Sequence, residues 1–207
     1  MVGDTTVSRR ELLKRLGMAG AATLALSELD RVLAFQRSAQ QTASPAGALS
    51  RSDAATLGAV CARIIPTDES GPGAAEARAA EYIDRALGGW LASSREDYTE
   101  GLRALDAAAR SRSGRPFAES APAEQDAILG ALDQTPFFAL VRTHTIQGTF
   151  CDPAYGGNAN FVGWDLIGYP GVRLNVTPAE QRMSVAIKPV RRSAYDYAMF
   201  AAGAHAH

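Results

Sequence analysis

The sequence predicts an all-α protein, and three observations carry that expectation. Alanine, the strongest helix former, fills 40 of the 207 positions. Apolar residues recur at spacings of three and four, which is the period of one helix face. Proline and glycine stand between those stretches, where they punctuate helices. The expected architecture is a single small helical domain. It carries a long irregular segment rich in glycine and aromatics, and an extended C-terminal arm. A chain of this length buries roughly two-thirds of its unfolded surface, so it needs no covalent staple.

The elements follow in order. Ser52 or Asp53 is expected to cap the first helix, in which Leu57, Val60, Cys61, Ile64 and Ile65 share an apolar face. Pro66 stops it, because the residue before proline is pushed out of the helical region. Residues 66–73 are dense in breakers and read as a turn. A second helix is expected from Ala74 to Leu87, ending at Gly88-Gly89. A third spans Ser94 to Ala109, with Tyr98, Leu102, Leu105 and Ala109 in a stripe, and Ser113-Gly114-Arg115-Pro116 closes it. A short helix covers Pro122 to Leu132. Thr135-Pro136 then opens a helix from Phe137 to Phe150, since proline suits the first helical position. Phe137, Leu140, Val141, His144 and Gly148 lie on one side of it, and this places His144 as a packed residue, not a catalyst.

Composition excludes several functions. The net charge is −1, from 21 basic and 22 acidic residues, and lacks the basic footprint of a nucleic-acid binder. Two cysteines and three histidines fall short of the usual zinc sets, and His205 and His207 stand in the last three residues. There is no phosphate-binding loop, dinucleotide fingerprint, nucleophile elbow or C-x-x-C pair.

The first residues read as an export signal. Ser8-Arg9-Arg10-Glu11-Leu12-Leu13-Lys14 precedes an apolar run from Leu16 to Leu26. That run is far shorter than the roughly 20 residues of a spanning helix. The pattern resembles a twin-arginine signal, with Leu12 where Phe is usual. Residues 1–45 are therefore assigned to signal and linker, and 46–207 to the helical domain. The expected location is the periplasm, reached by the twin-arginine route. That route carries folded cargo, yet the chain has no cofactor motif of its own, which suggests a travelling partner.

Residues 147–175 break the helical pattern and hold six glycines. Long irregular segments in compact domains are usually functional. Phe150, Asp152, Tyr155, Asn158, Phe161, Trp164 and Tyr169 are the candidate partner-interface residues, because aromatic anchors and close-approaching glycines suit an interface. An Ω-loop whose aromatics pack on its own helices is the alternative. A sugar-binding module or small enzyme using Asp152, Tyr155, Asn158 and Trp164 is a second one, with Asp152 and Asp165 as its acid pair. Thr177 and Glu180 have capping-box spacing. Beyond Pro189 the sequence has no period and reads as an arm lying on another surface. Cys61 and Cys151 could pair with each other; the position of Cys151 beside Asp152-Pro153 favours instead a bond to a partner chain.

Several of these residues carry a family resemblance. Ile64-Ile65-Pro66-Thr67-Asp68, Gly73-Ala74, Phe137-Phe138, then Gly148-Thr149-Phe150-Cys151-Asp152-Pro153-Ala154-Tyr155-Gly156-Gly157-Asn158, Gly163-Trp164 and Ile167-Gly168-Tyr169-Pro170-Gly171 resemble the gluconate 2-dehydrogenase subunit 3 family. The likeness covers roughly residues 50–175. Length and Cys151 are most similar to the small subunits of bacterial flavin-dependent glucose dehydrogenases. The resemblance implies a non-catalytic subunit that binds no cofactor and escorts and stabilises a larger one. That partner is a flavoprotein of the glucose–methanol–choline class carrying FAD and an iron–sulfur cluster. A multihaem cytochrome c subunit with haem c takes the electrons to the membrane, which this chain meets through the complex. The resemblance also makes Cys151 the candidate for an intersubunit disulfide, and Arg9 and Arg10 the export signal of the pair.

Overall fold

The computed structural model describes residues 47–182, 184 and 187–201. Arg9, Arg10 and the rest of the signal, with His205 and His207, lie outside the described residues. The described protein is all-α, as the sequence predicts. Its helices are α1 (Arg51–Ile64), α2 (Ala79–Leu87), α3 (Arg95–Ser113), α4 (Pro122–Gly130), α5 (Pro136–Phe150), α6 (Val162–Leu166) and α7 (Ala198–Ala201). Among the described residues there is no strand, only an isolated bridge between Asp68 and Gly71.

Helix α1 is the centre of the body and packs against α2, α3, α4 and α5. Its stripe of Leu57, Val60 and Cys61 is buried with Ile83 and Leu87 of α2, Tyr98, Leu102 and Leu105 of α3, and Val141 of α5. Removing most of one such side chain costs about 2–5 kcal/mol, from lost burial plus the cavity left behind. Arg63 reaches across from α1 and grips Asp126 of α4 through two bonds of 2.7 Å.

Local chemistry fixes the helix ends. Ser50, not Ser52 or Asp53, caps α1: it has extended backbone, and its hydroxyl accepts from the Asp53 amide at 3.1 Å. Thr135 caps α5 by accepting from the Phe138 amide at 3.2 Å, with Pro136 at the first helical position. Helix α3 runs a turn beyond Ala109 and stops at Gly114, whose φ of 73° is left-handed.

Three expectations are corrected. The second helix starts at Ala79, not Ala74, because Arg78 takes a left-handed φ of 57°. The preceding carbonyl, that of Ala77, accepts from the Ala159 amide at 3.1 Å and so belongs to a tertiary contact. The segment 147–175 is not continuously irregular: after α5 it holds 3₁₀ turns at Pro153–Tyr155 and Ala159–Phe161, then α6. The arm after Pro189, expected on another surface, lies on this chain's own 150–172 loop, as the bonds below show.

Candidate functional site

The loop after α5 is built around Asn158. Its amide donates to the Gly148 carbonyl, its Nδ2 donates to the Cys151 carbonyl, and its Oδ1 accepts from the Gly163 amide, each at 2.8 Å. Asn158 is fully buried. It clasps the end of α5 to the start of α6, with a left-handed φ of 43° that asparagine tolerates. Asn158 was expected at a partner interface; every polar atom of its side chain is instead turned inward.

The clasp demands glycine at two positions. A Cβ at Gly157 would collide with the Gly148 carbonyl oxygen, and one at Gly163 with the Thr149 carbonyl oxygen. These are close approaches of backbone to backbone. Phe161 shares the strain, with φ at 63°, rare for a bulky residue.

Trp164 also faces inward, 6% exposed, and its Nε1 donates to the Phe150 carbonyl at 3.0 Å. Phe161 and Tyr169 pack on it, with ring centroids 5.3 and 4.9 Å away. Tyr169 is 41% exposed and forms the outer face of that stack. Phe150 is partly buried at the end of α5.

Asp152 binds the arm. Its Oδ1 accepts from the Ala154 amide at 2.9 Å and the Ser193 hydroxyl at 2.6 Å, and its Oδ2 accepts from the Ala194 amide at 2.7 Å. The hydroxyls of Tyr155 and Tyr195 lie 2.9 Å apart. Farther along, the Val190 amide donates to the Pro170 carbonyl at 2.7 Å, Tyr197 donates to the Val172 carbonyl at 2.9 Å, and Arg191 donates to Asp165 at 2.6 Å. Ser193 and Asp196 form a capping box that turns the arm at this point. Sequence reasoning missed that box, although the Ser-x-x-Asp spacing was legible.

Asp152, Asn158 and Trp164 therefore hold the fold together, and Asp165 is tied to Arg191. Three of the four residues a sugar site was expected to use, Asp152, Asn158 and Trp164, thus bond within the chain.

Both cysteines are free thiols. Cys61 is buried beside the Thr145 hydroxyl at 3.4 Å, and burial pushes its pKa up to about 12. Cys151 is partly exposed; its thiol lies 3.7 Å from the Gly148 carbonyl, and burial pushes its pKa up to about 11. His144 is packed, as expected: its Nδ1 lies 2.9 Å from the Tyr98 hydroxyl, and burial lowers its pKa.

The loop and arm expose most of the large apolar side chains that face outward. Nine large hydrophobic side chains stand exposed among the described residues, and all but Ile146 lie between Ile167 and Phe200. Ile167 at 59% and Met199 at 65% are the most open. Concentration of this kind marks an interaction surface, whereas scattered exposed apolar residues are ordinary. No helix among the described residues is long and apolar enough to cross a membrane.

No curated protein and no solved structure matches the chain. The family described as gluconate 2-dehydrogenase subunit 3 matches residues 51–171, more than half of the sequence, from the start of α1 through the loop that Asn158 and Asp152 organise. The chain belongs to the gluconate 2-dehydrogenase subunit 3 family.

Proposed function

We propose that the chain is the non-catalytic small subunit of a periplasmic, flavin-dependent sugar dehydrogenase of the glucose or gluconate type. One observation carries this reading beyond family membership. The exposed apolar side chains gather on the loop and arm, while Asp152, Asn158 and Trp164, which a sugar site would use, are bonded within the chain. Such a surface favours binding a protein over transforming a small molecule.

The partner is a catalytic flavoprotein of the glucose–methanol–choline class, which carries FAD and an iron–sulfur cluster. A multihaem cytochrome c subunit accepts its electrons. Arg9 and Arg10 supply the twin-arginine signal for both this chain and the flavoprotein, so the small subunit escorts and stabilises its cargo. Of the two thiols, Cys151 retains exposure and Cys61 does not, which makes Cys151 the one able to bridge to a partner. Its bond to a partner cysteine forms in the periplasm, where a disulfide donor takes up the two electrons.

Co-expression with the flavoprotein tests this reading. The two chains are expected to co-purify, yellow from bound flavin, and to run as one band that reductant splits. Replacing Arg9 and Arg10 by lysine is expected to leave both chains in the cytoplasm. Purification of this chain alone, or export of the flavoprotein without it, would contradict the proposal.

A further inference from the structure

We infer that the strip formed by residues 167–182 and 187–200 is the docking surface of this subunit, and that it fits an apolar protein surface rimmed by carboxylates. This deepens, and rests on, the small-subunit reading.

Two described segments of the strip lie side by side. The arm runs beside residues 170–172 through the Val190–Pro170 and Tyr197–Val172 bonds. Between the two segments lies a groove of about 380 Å³, lined by Trp164 and Tyr169 from one side and Ile187 and Pro189 from the other. Exposed apolar side chains flank it along both segments.

Charge separates this strip from the rest of the body. Residues 167–200 contain five basic residues and two acidic ones. Residues 47–166 contain ten basic and sixteen acidic. Within the strip Arg173 pairs with Glu180, and Arg191 with Asp165. Arg182, Lys188 and Arg192 have no carboxylate partner among the described residues. An apolar strip with unneutralised cations on an otherwise acidic body is complementary to an acidic partner surface. Complementary charges raise the association rate and suppress wrong partners.

Geometry favours a protein over an anionic lipid surface. Interfacial membrane binding uses a long amphipathic helix, and the strip holds none among the described residues. The strip's aromatics are fixed instead: Tyr169 stacks on Trp164, and Tyr195 is held by Tyr155. Rigid aromatics beside a groove suit a shaped protein counterpart.

The test is co-purification of the full chain with the flavoprotein across a salt series. Arg182→Glu/Lys188→Glu is expected to weaken the complex at least tenfold at low salt, with the deficit shrinking as salt screens the charges. Ile167→Asp/Met199→Asp is expected to weaken it at least tenfold at all salt concentrations. Arg142→Glu, a reversal at an exposed site on α5, is expected to leave it unchanged. Circular dichroism of each variant separates loss of docking from loss of fold. If the wild type itself fails to bind the flavoprotein, the small-subunit reading fails. If the wild type binds and both strip variants bind equally well, the docking surface lies elsewhere. Wild-type binding to phosphatidylglycerol vesicles that the strip variants abolish would overturn the protein-surface assignment, as would self-association that they abolish.

Discussion

The Ser193 hydroxyl donates to Asp152 Oδ1 at 2.6 Å, joining residues 41 positions apart. With the Ala194 amide on the other carboxylate oxygen, this contact fastens the arm to the loop. Hydrogen bonds to a charged acceptor are worth about 1.5–3 kcal/mol each. Asp152→Ala is expected to cost roughly 2–3 kcal/mol in urea denaturation. It is also expected to open the arm to tryptic cleavage after Arg191 and Arg192 while the helical body stays intact.

Asn158 performs the equivalent task inside the loop. Asn158→Ala leaves the Cys151 carbonyl and the Gly163 amide without partners in a buried site. The expected loss is about 2–4 kcal/mol, since each buried orphan costs about 1–3 kcal/mol. Asn158→Asp keeps the acceptor toward Gly163 but sets a second acceptor against the Cys151 carbonyl in a fully buried site, and is expected to lose more. Thermal melts of the two variants rank them.

His144 makes stability depend on pH. Burial lowers its pKa below the ordinary value of about 6.5, so the unfolded chain takes up the proton more readily than the folded one. The stability contributed by the neutral imidazole is complete above about pH 6.5 and declines as pH falls through that value toward the lower folded pKa. Glu76, Asp126 and Glu180 also have lowered pKa values, which places their effects at still more acid pH. Chemical denaturation between pH 7 and 5 is expected to show a decline in the wild type and a flatter profile in His144→Gln.

The two thiols differ in reactivity. With its pKa pushed up to about 11, Cys151 is expected to react with a disulfide reagent at pH 8 roughly tenfold more slowly than free cysteine. Cys61, buried and with a pKa near 12, is expected to react only as fast as the chain unfolds. Stopped-flow labelling of Cys61→Ala and Cys151→Ala separates the two.

Apolar spacing made the helical body legible, and the stripes of α1 and α3 in the core are those the sequence shows. It did not reveal the break at Arg78. Residues 74–78 are richer in alanine than the helix that follows, and the break accompanies a tertiary bond from Ala159. The loop was visible as a cluster of glycines and aromatics, but composition cannot tell that Trp164 turns in while Tyr169 turns out. The long-range bonds of Asp152 and Asn158 decide which of the loop's residues remain available. The exposed residues of the arm carried no periodic signal, because their exposure follows from how Ser193 and Asp152 fasten the chain.

Zero-length carbodiimide cross-linking of the assembled complex tests the docking surface most directly. Of the chain's two lysines, Lys14 and Lys188, Lys188 lies in the strip. The expected result is an amide bond between Lys188 and an aspartate or glutamate of the flavoprotein, identified by peptide mass spectrometry and lost at high salt. An intact complex in which Lys188 forms no bond to the flavoprotein would contradict it.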